Sequence, residues 1–268
     1  MSLVACIGTA DKSCHPHLRE RCGIAHEQDF MSLHGCITNL WRSIGQAVRS
    51  LGVADGLLYL ASRVFERISF GTIRLLRYRF IAQPIGYSAA TVMRADSATI
   101  VLPTPPESPL VAAFPRPPQV LRRRYEGGAE CFAAMVRTAF AGFIWFQRVA
   151  YEEDEVRCRY VLAAPERCVW DFDVYVEPRF RFGRTLARLW HAVDTHLAKQ
   201  GIQWSFSRIS AFNANSIAAH TRLGIVDCGS ATFLCVGALQ IAVLSTPPFM
   251  HLSFSSRHRP SIRLSPPR

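Results

Sequence analysis

Apolar and polar positions follow two periods along this chain, and the changes of period predict its elements. Apolar residues recur at helical spacing between residues 37 and 68, and again from Thr185 to Gln200, where Gly201 follows as a stop signal. A short helix is predicted from Ser216 to Leu223. Strand-like runs cover residues 72–85, 131–136, 142–149, 156–162, 168–176, 202–210 and 228–244, the last as a strand or a hairpin.

These patterns divide the chain into four predicted segments. Residues 1–36 show no period and are expected to form a disordered or irregular extension, followed by a helical segment over residues 37–72 that packs on the main domain. Residues 73–245 hold the main domain, and residues 246–268 are predicted to be a basic tail rich in proline and arginine. Within the main domain, the proline-rich residues 86–119 are expected to carry a short helix or to cover a cleft.

Charge narrows the classes of partner. The chain of 268 residues is 49% hydrophobic, which supports a substantial core, and 31 Lys+Arg against 20 Asp+Glu give a net charge of +11. Such a charge suits nucleic acid, an anionic membrane surface or a polyanionic small molecule. No helix-turn-helix or RNP motif is present, so we expect no specific nucleic-acid partner. Peripheral membrane contact through the residue 37–68 helices stays open as an alternative.

Cysteine and histidine usage bears on compartment and metal. The nine cysteines are odd in number and form no close pairs, which favours a reducing environment and a cytoplasmic location. We expect no signal peptide, and the longest apolar stretch, Ala231–Leu244, is too short to span a bilayer. The cysteines and histidines before residue 37 lack zinc-finger spacing, so no metal is expected.

The segment from Val174 to Gly224 carries the strongest functional signal. A strand stops at Pro178, a basic turn containing Gly183 follows, and a helix begins at Thr185. A turn of this kind presents unpaired backbone N–H groups to an anion. The sequence therefore predicts a site for a phosphate-bearing molecule.

Two motifs in this segment resemble those of the GNAT N-acetyltransferase superfamily. The first reads Val176-x-Pro178-x-x-Arg181-x-Gly183-Arg184, and the second reads Asn213-x-x-Ser216-x-x-x-His220-x-x-x-Gly224. The resemblance covers residues 130–236. It implies an α+β fold with a mixed, mostly antiparallel central sheet flanked by helices, here with an N-terminal helical extension. It also implies that the strand ending at Val176 splays from the residue 202–210 strand.

The resemblance implies a binding site for acetyl-CoA or another acyl-CoA. Pantetheine would pair with the exposed backbone of the first strand, and the pyrophosphate would lie on the turn and the helix start. The implied binding residues are Val174, Val176, Arg181, Gly183, Arg184, Thr185, Asn213 and Ser216. Asn213 alternatively caps the last helix. Phe182 and Arg184 stand where the family has small residues, which limits how closely backbone and phosphate can approach.

Two residues are predicted to be catalytic. His220 takes the place of the family's tyrosine and is expected to protonate the leaving thiolate, or else to be a surface histidine. Asp173 is a candidate base, although an arginine such as Arg159 could pair with it. Asp171 and the acidic run 152–155 are further candidates, the run alternatively being a solvated turn. Strict alternation predicts that one face of this strand carries Trp170, Phe172 and Val174, and that the opposite face carries Asp171, Asp173 and Tyr175.

The function expected from the resemblance is transfer of an acyl group, acetyl being the first expectation, to the amine of a small molecule or peptide by direct attack. One alternative is a non-catalytic module of the same fold that binds a ligand or partner. The other is a basic protein associated with a membrane surface.

Overall fold

A computed structural model describes residues 45, 48–86, 99–181 and 184–267 of the chain. The predicted extension over residues 1–36 lies outside the described residues, as do Phe182 and Gly183 of the phosphate turn. The described chain forms two sheets, one of nine strands and one of three, with helices against the larger sheet. The predicted α+β class with a mostly antiparallel central sheet is confirmed.

The nine-stranded sheet contains most of the predicted strands. In chain order they are β1 (Ile73–Pro84), β2 (Thr99–Pro103), β3 (Glu130–Val136), β4 (Ala139–Gln147), β7 (Cys168–Val176), β8 (Trp204–Ser210), β9 (Val226–Val236), β10 (Leu239–Leu244) and β11 (Met250–Ser253). Their spatial order is β11-β10-β9-β1-β8-β7-β4-β3-β2. Neighbours in this sheet are antiparallel, apart from the parallel pair β7 and β8.

The three-stranded sheet was not predicted. It consists of β5 (Ala150–Glu152), β6 (Arg159–Leu162) and β12 (Ser261–Leu264), in the order β12-β6-β5. The run 156–162, expected as a strand, contains β6, which pairs with β12 and β5. The segment after residue 245, expected as a tail, supplies β11 and β12. Both β11 and β12 are only four residues long, which is too short for a periodic pattern to identify them.

Four α-helices whose bounds lie within the described ranges accompany the strands. They are α1 (Val53–Ile68), α2 (Pro118–Glu126), α3 (Thr185–Lys199) and α4 (Ala214–Thr221), with short 3-10 helices at Pro109–Ala113 and Pro178–Phe180. Helix α1 lies within the predicted N-terminal helical segment and is tied to β1 by the Arg77–Asp55 ion pair, while residues 37–44 of that segment lie outside the described residues. The proline-rich segment holds β2 and the first 3-10 helix, so a short helix there is also confirmed.

The large sheet packs an apolar cluster on each face. One face, with the small sheet, is rich in aromatic side chains such as Phe80, Trp145 and Trp170. The other carries α3, whose Leu189, Val193 and Leu197 pack on Ile144 and other residues of the sheet. The helical period of the sequence thus identified the buried face of α3. Within the described ranges, no helix is both long and apolar enough to cross a membrane.

Candidate functional site

The central sheet opens into a gap between β7 and β8. These strands pair only where Cys168–Trp170 face Trp204–Phe206. Beyond that point β8 continues to pair with β1, and β7 with β4. The remaining residues of the two strands, Asp171–Val176 and Ser207–Ser210, therefore each present one unpaired backbone edge to the other strand. The splay that the resemblance implied for these strands is present.

A β-bulge at Asp173 changes the direction of β7 inside this gap. Asp173 has a φ of 46°, and the register with β4 shifts between Phe143 and Trp145. The extra residue inverts the alternation of side chains beyond it. Val174 therefore lies on the α3 face and Tyr175 on the aromatic face, so the predicted grouping of these two residues is wrong. A positive φ at an aspartate leaves no period in the sequence, which is why strict alternation failed here.

Asp173 itself is held by two arginines. Its carboxylate accepts hydrogen bonds from Nε and Nη2 of Arg116 and from Nη1 of Arg124, while only 10% of its side chain is exposed. Arg124 also lies over the ring of Trp145 and Arg116 over that of Tyr175. Neither of these two partners of Asp173 is Arg159, the arginine suggested from the sequence. The arrangement ties the loop before α2, and α2 itself, to the bulge. The role of Asp173 as a base stays a prediction.

The turn between β7 and α3 is partly described. Nε of Arg181 donates to the carbonyl oxygen of Val176 at 3.0 Å, which closes the turn back on the strand end. Arg184 is exposed at the N-cap position of α3, and Thr185, the first helical residue, is buried. No described side chain caps this helix, and its first turn contains no acidic residue. Its first N–H groups are therefore a suitable site for an anion.

The second motif forms the start of α4. Oδ1 of Asn213 accepts a hydrogen bond from the backbone N–H of Ser216 at 3.0 Å, so Asn213 caps the helix. Ser216 is buried, and its carbonyl oxygen lies 2.8 Å from Nδ1 of His220. The capping alternative for Asn213 is thus realised in the structure. Contact of either residue with a cofactor stays a prediction.

One hydrogen bond sets the tautomer of His220. A carbonyl oxygen can only accept, so Nδ1 of His220 carries the proton and Nε2 keeps a lone pair. Burial lowers the pKa of His220 below its ordinary value, an effect that the Ser216 carbonyl partly opposes. A neutral ring with a free Nε2 accepts protons. The predicted acid role of His220 is untested, and both features weigh against it.

The acidic run 152–155 forms a charged network. Glu153, whose side chain is 1% exposed, accepts hydrogen bonds from Nε and Nη2 of Arg208 at 2.9 and 2.8 Å. Glu155 accepts from Nη2 of Arg208 and from the hydroxyl of Tyr78, over whose ring the guanidinium lies. The solvated-turn interpretation is therefore wrong for Glu153, whereas Glu155 is exposed to solvent although it is ion-paired. The sequence did offer a signal for this network, because Arg208 is a charged residue in the middle of an otherwise uncharged strand.

A cavity of about 550 Å³ lies between the first 3-10 helix and α2. Its apolar lining includes Phe114, Leu121 and Tyr125, and Arg116 and Arg122 also line it. Arg116 connects the cavity to β7 through its bond to Asp173. No cluster of three metal-ligating side chains occurs among the residues that the structure describes.

Comparisons with known proteins give only distant likenesses. No protein-family model matches the sequence, and no curated protein matches it. A conserved Staphylococcus epidermidis protein of unknown function is 11% identical, with a TM-score of 0.44 over 65% of this chain and 67% of that one.

Two further solved structures are described as GNAT proteins. A protein from Novosphingobium aromaticivorans, described as an acetyltransferase of the GNAT family, is 15% identical, with a TM-score of 0.41 over 59% of this chain and 63% of that one. A tandem GNAT protein from the clavulanic acid pathway, solved without acetyl-CoA, is 14% identical, with a TM-score of 0.44 over 69% and 58%. This chain thus spans less than two thirds of either protein. With TM-scores this low, functional conclusions have to come from the geometry of the chain itself.

Proposed function

We propose that this protein is an acyl-CoA-dependent N-acyltransferase that binds the thioester in the gap between β7 and β8. The observation that carries the proposal is the gap, in which two strands of one sheet separate after three residue pairs. Unpaired strand edges recognise extended chains that carry amide groups. The pantetheine arm of coenzyme A is such a chain.

The start of α3 supports the phosphate end of this substrate. The helix begins directly after the turn that follows β7, and no described side chain or first-turn acid occupies its N-terminus. The helix dipole and the free N–H groups favour a pyrophosphate there. Arg184 at the N-cap adds a positive charge, and it is exposed. In this proposal the side chain of Arg184 compensates for the missing small residue by binding phosphate itself.

The reaction that fits these parts is direct attack of an amine on the thioester. The nitrogen forms a bond to the acyl carbon, the carbon–sulfur bond breaks, and one proton leaves the nitrogen while the thiolate gains one. The lone pair on Nε2 of His220 supports a role in accepting the amine proton. Asp173, occupied by two guanidinium groups, supports a role in positioning the β7 edge.

The cavity beside α2 supports a small molecule or peptide as the acceptor. Its apolar lining suits an amine that carries a hydrophobic body, and it is joined to β7 through the Arg116–Asp173 pair. A cavity of about 550 Å³ falls within the usual range for small-molecule sites. We therefore propose that the acceptor enters from the aromatic face and the acyl-CoA from the gap.

A negative charge introduced at one helix end tests the binding mode. Ala187 is exposed in the first turn of α3, and Ala198 is exposed in the last turn. Ala187→Glu favours the helix dipole yet repels a pyrophosphate, whereas Ala198→Glu is the matched control at the far end. We expect Ala187→Glu to weaken acetyl-CoA binding at least about tenfold in calorimetry, in keeping with one lost charge-assisted contact, while Ala198→Glu binds like wild type.

Thiol release on an amine panel separates catalysis from binding alone. Wild type that binds acetyl-CoA and releases thiol with an amine supports the enzyme. Binding without release with any amine supports the non-catalytic module. Absence of acetyl-CoA binding overturns both.

One exposed surface supports a second candidate, contact with an anionic membrane. Helix α1 exposes an apolar stripe of Val53, Leu57, Val64 and Ile68, followed by Phe70 at 96% exposure. Arg63 and Arg67 lie on the same helix, which is the composition of an interfacial helix. Co-sedimentation with vesicles of anionic lipid tests this. Binding that salt and Leu57→Glu both abolish supports membrane contact, and unchanged binding in Leu57→Glu contradicts this surface.

A further inference from the structure

Asp171 lies at the closed end of the gap. It is the first residue of β7 after the last pair with β8, which is Trp170 with Phe206. Its backbone still pairs with Phe146 of β4, and the residue is 7% exposed. A carboxyl group is therefore buried at the point where the two strands separate.

The neighbours of Asp171 are hydroxyl groups and one acid. Oγ of Ser205 donates to Oδ2 of Asp171 at 2.7 Å. Ser207 is a buried residue at the next position of β8 beyond the last pair, in register with Asp171, and its hydroxyl acts to lower the pKa of this carboxyl. From α3 the titratable group that acts on it is Asp194, while β4 presents the apolar Phe146. Asp171 forms no ion pair with any residue in the described ranges.

This surrounding makes the carboxyl group exchange protons near neutral pH. Burial raises the pKa of Asp171 to about 7, the serine hydrogen bonds oppose the rise, and Asp194 adds to it. A carboxyl that is half protonated at working pH suits proton transfer. The two serines differ in place, since Ser205 belongs to the paired segment of β8 and Ser207 is the first residue beyond it.

We propose that Asp171 and Ser207 form a proton relay at the closed end of the gap, which delivers a proton to the leaving thiolate. The inference rests on the proposed acyltransferase function and deepens it, because it supplies the acid that a neutral His220 does not.

Atoms and protons balance in this relay. As the carbon–sulfur bond breaks, the hydroxyl proton of Ser207 moves to sulfur, and the Asp171 carboxylic acid returns a proton to the serine oxygen. Asp171 then regains a proton from solvent, and the proton lost by the attacking amine passes through its base to solvent. Neither oxidant nor metal takes part.

Paired serine variants test the relay. Ser207→Ala and Ser205→Ala remove the same atom from the same strand, and each removes one partner of the same carboxyl. We expect Ser207→Ala to lower kcat for thiol release about 10²-fold, the size of a lost general acid, with acetyl-CoA affinity unchanged. Ser205→Ala is expected to lower kcat no more than about threefold, because Asp171 keeps Ser207. Equal losses in the two variants would overturn the relay.

The pH profile gives a second readout. In wild type, kcat falls as pH rises through about 7, since ionised Asp171 has no proton to deliver. Asp171→Asn is expected to lose this alkaline limb and to retain the acetyl-CoA affinity of wild type. An unchanged limb in Asp171→Asn contradicts the relay while leaving the acyltransferase intact. Wild type that binds no acetyl-CoA overturns both, so the two failures are distinguishable.

Discussion

Arg116 donates two hydrogen bonds to Asp173, and this one pair joins the loop before α2 to the bulge of β7. With Arg124 on the same carboxylate, three parts of the chain meet at a nearly buried charge. The contact explains how a positive φ is maintained at a non-glycine position.

The first prediction concerns this ion cluster. Asp173→Asn leaves two guanidinium groups without their counter-charge, and we expect the free energy of unfolding to fall by about 3 kcal/mol. Urea denaturation monitored by tryptophan fluorescence measures the loss. Glu66→Gln, which breaks the exposed Arg63–Glu66 pair, is the control and is expected to cost less than about 0.5 kcal/mol. A destabilisation no larger than the control's, with turnover abolished, would instead support the catalytic base.

The second prediction concerns Gly142, which faces Val176 across the bulged pair of strands. A Cβ at this position would overlap the carbonyl oxygen of Tyr175, and backbone cannot move aside as a side chain does. We expect Gly142→Ala to lower the free energy of unfolding by about 2 kcal/mol, typical of an overpacked core, and to weaken acetyl-CoA binding. A variant as stable as wild type would show that the two strands lie farther apart.

The third prediction concerns His220 and acid stability. Because burial lowers its pKa, the unfolded chain binds the proton more readily than the folded one. The stabilisation is therefore complete above the ordinary pKa of about 6.5 and is lost as pH falls below it. We expect His220→Gln to reduce the loss of stability between pH 8 and pH 5, as measured by urea denaturation at both values. Parallel pH dependence in the two proteins would contradict burial of the ring.

The fourth prediction concerns Asp171. Burial raises its pKa, so the pH dependence that it gives to stability is opposite in direction to that of His220. The unfolded carboxyl ionises near 3.8 and the folded one near about 7, so stability falls as pH rises between these values. By linkage the loss totals about 4 kcal/mol above pH 7. Asp171→Asn is expected to gain stability relative to wild type at pH 8 and none at pH 4. Equal differences at the two pH values would show that Asp171 is ionised in the folded protein.

Regular periods made much of the fold predictable. The apolar face of α3 and the strands β3, β4, β7 and β8 follow local patterns of hydrophobicity. The bulge at Asp173 could not be predicted, because it depends on arginines from a distant loop and helix that neutralise the charge. The same holds for Glu153 and Arg208, which are 55 residues apart and meet only in the folded chain.

The candidate site also has parts that the sequence predicts and parts that only the fold reveals. The turn and helix of the first motif and the capped helix of the second could be placed from sequence, since caps and breakers act locally. The protonation of His220 and the position of Asp171 required the fold, because each depends on burial and on a particular hydrogen-bond partner.

Only three residue pairs join β7 to β8, so the gap beyond them divides the large sheet into two unequal parts. Strands β2, β3, β4 and β7 form one part, and β8, β1, β9, β10 and β11 form the other. An extended substrate that pairs with both inner edges would act as an extra strand and would join the two parts into one continuous sheet. Amide protons on the inner edges of β7 and β8 should then exchange with solvent more slowly when the substrate is bound, a footprint visible before any chemistry occurs.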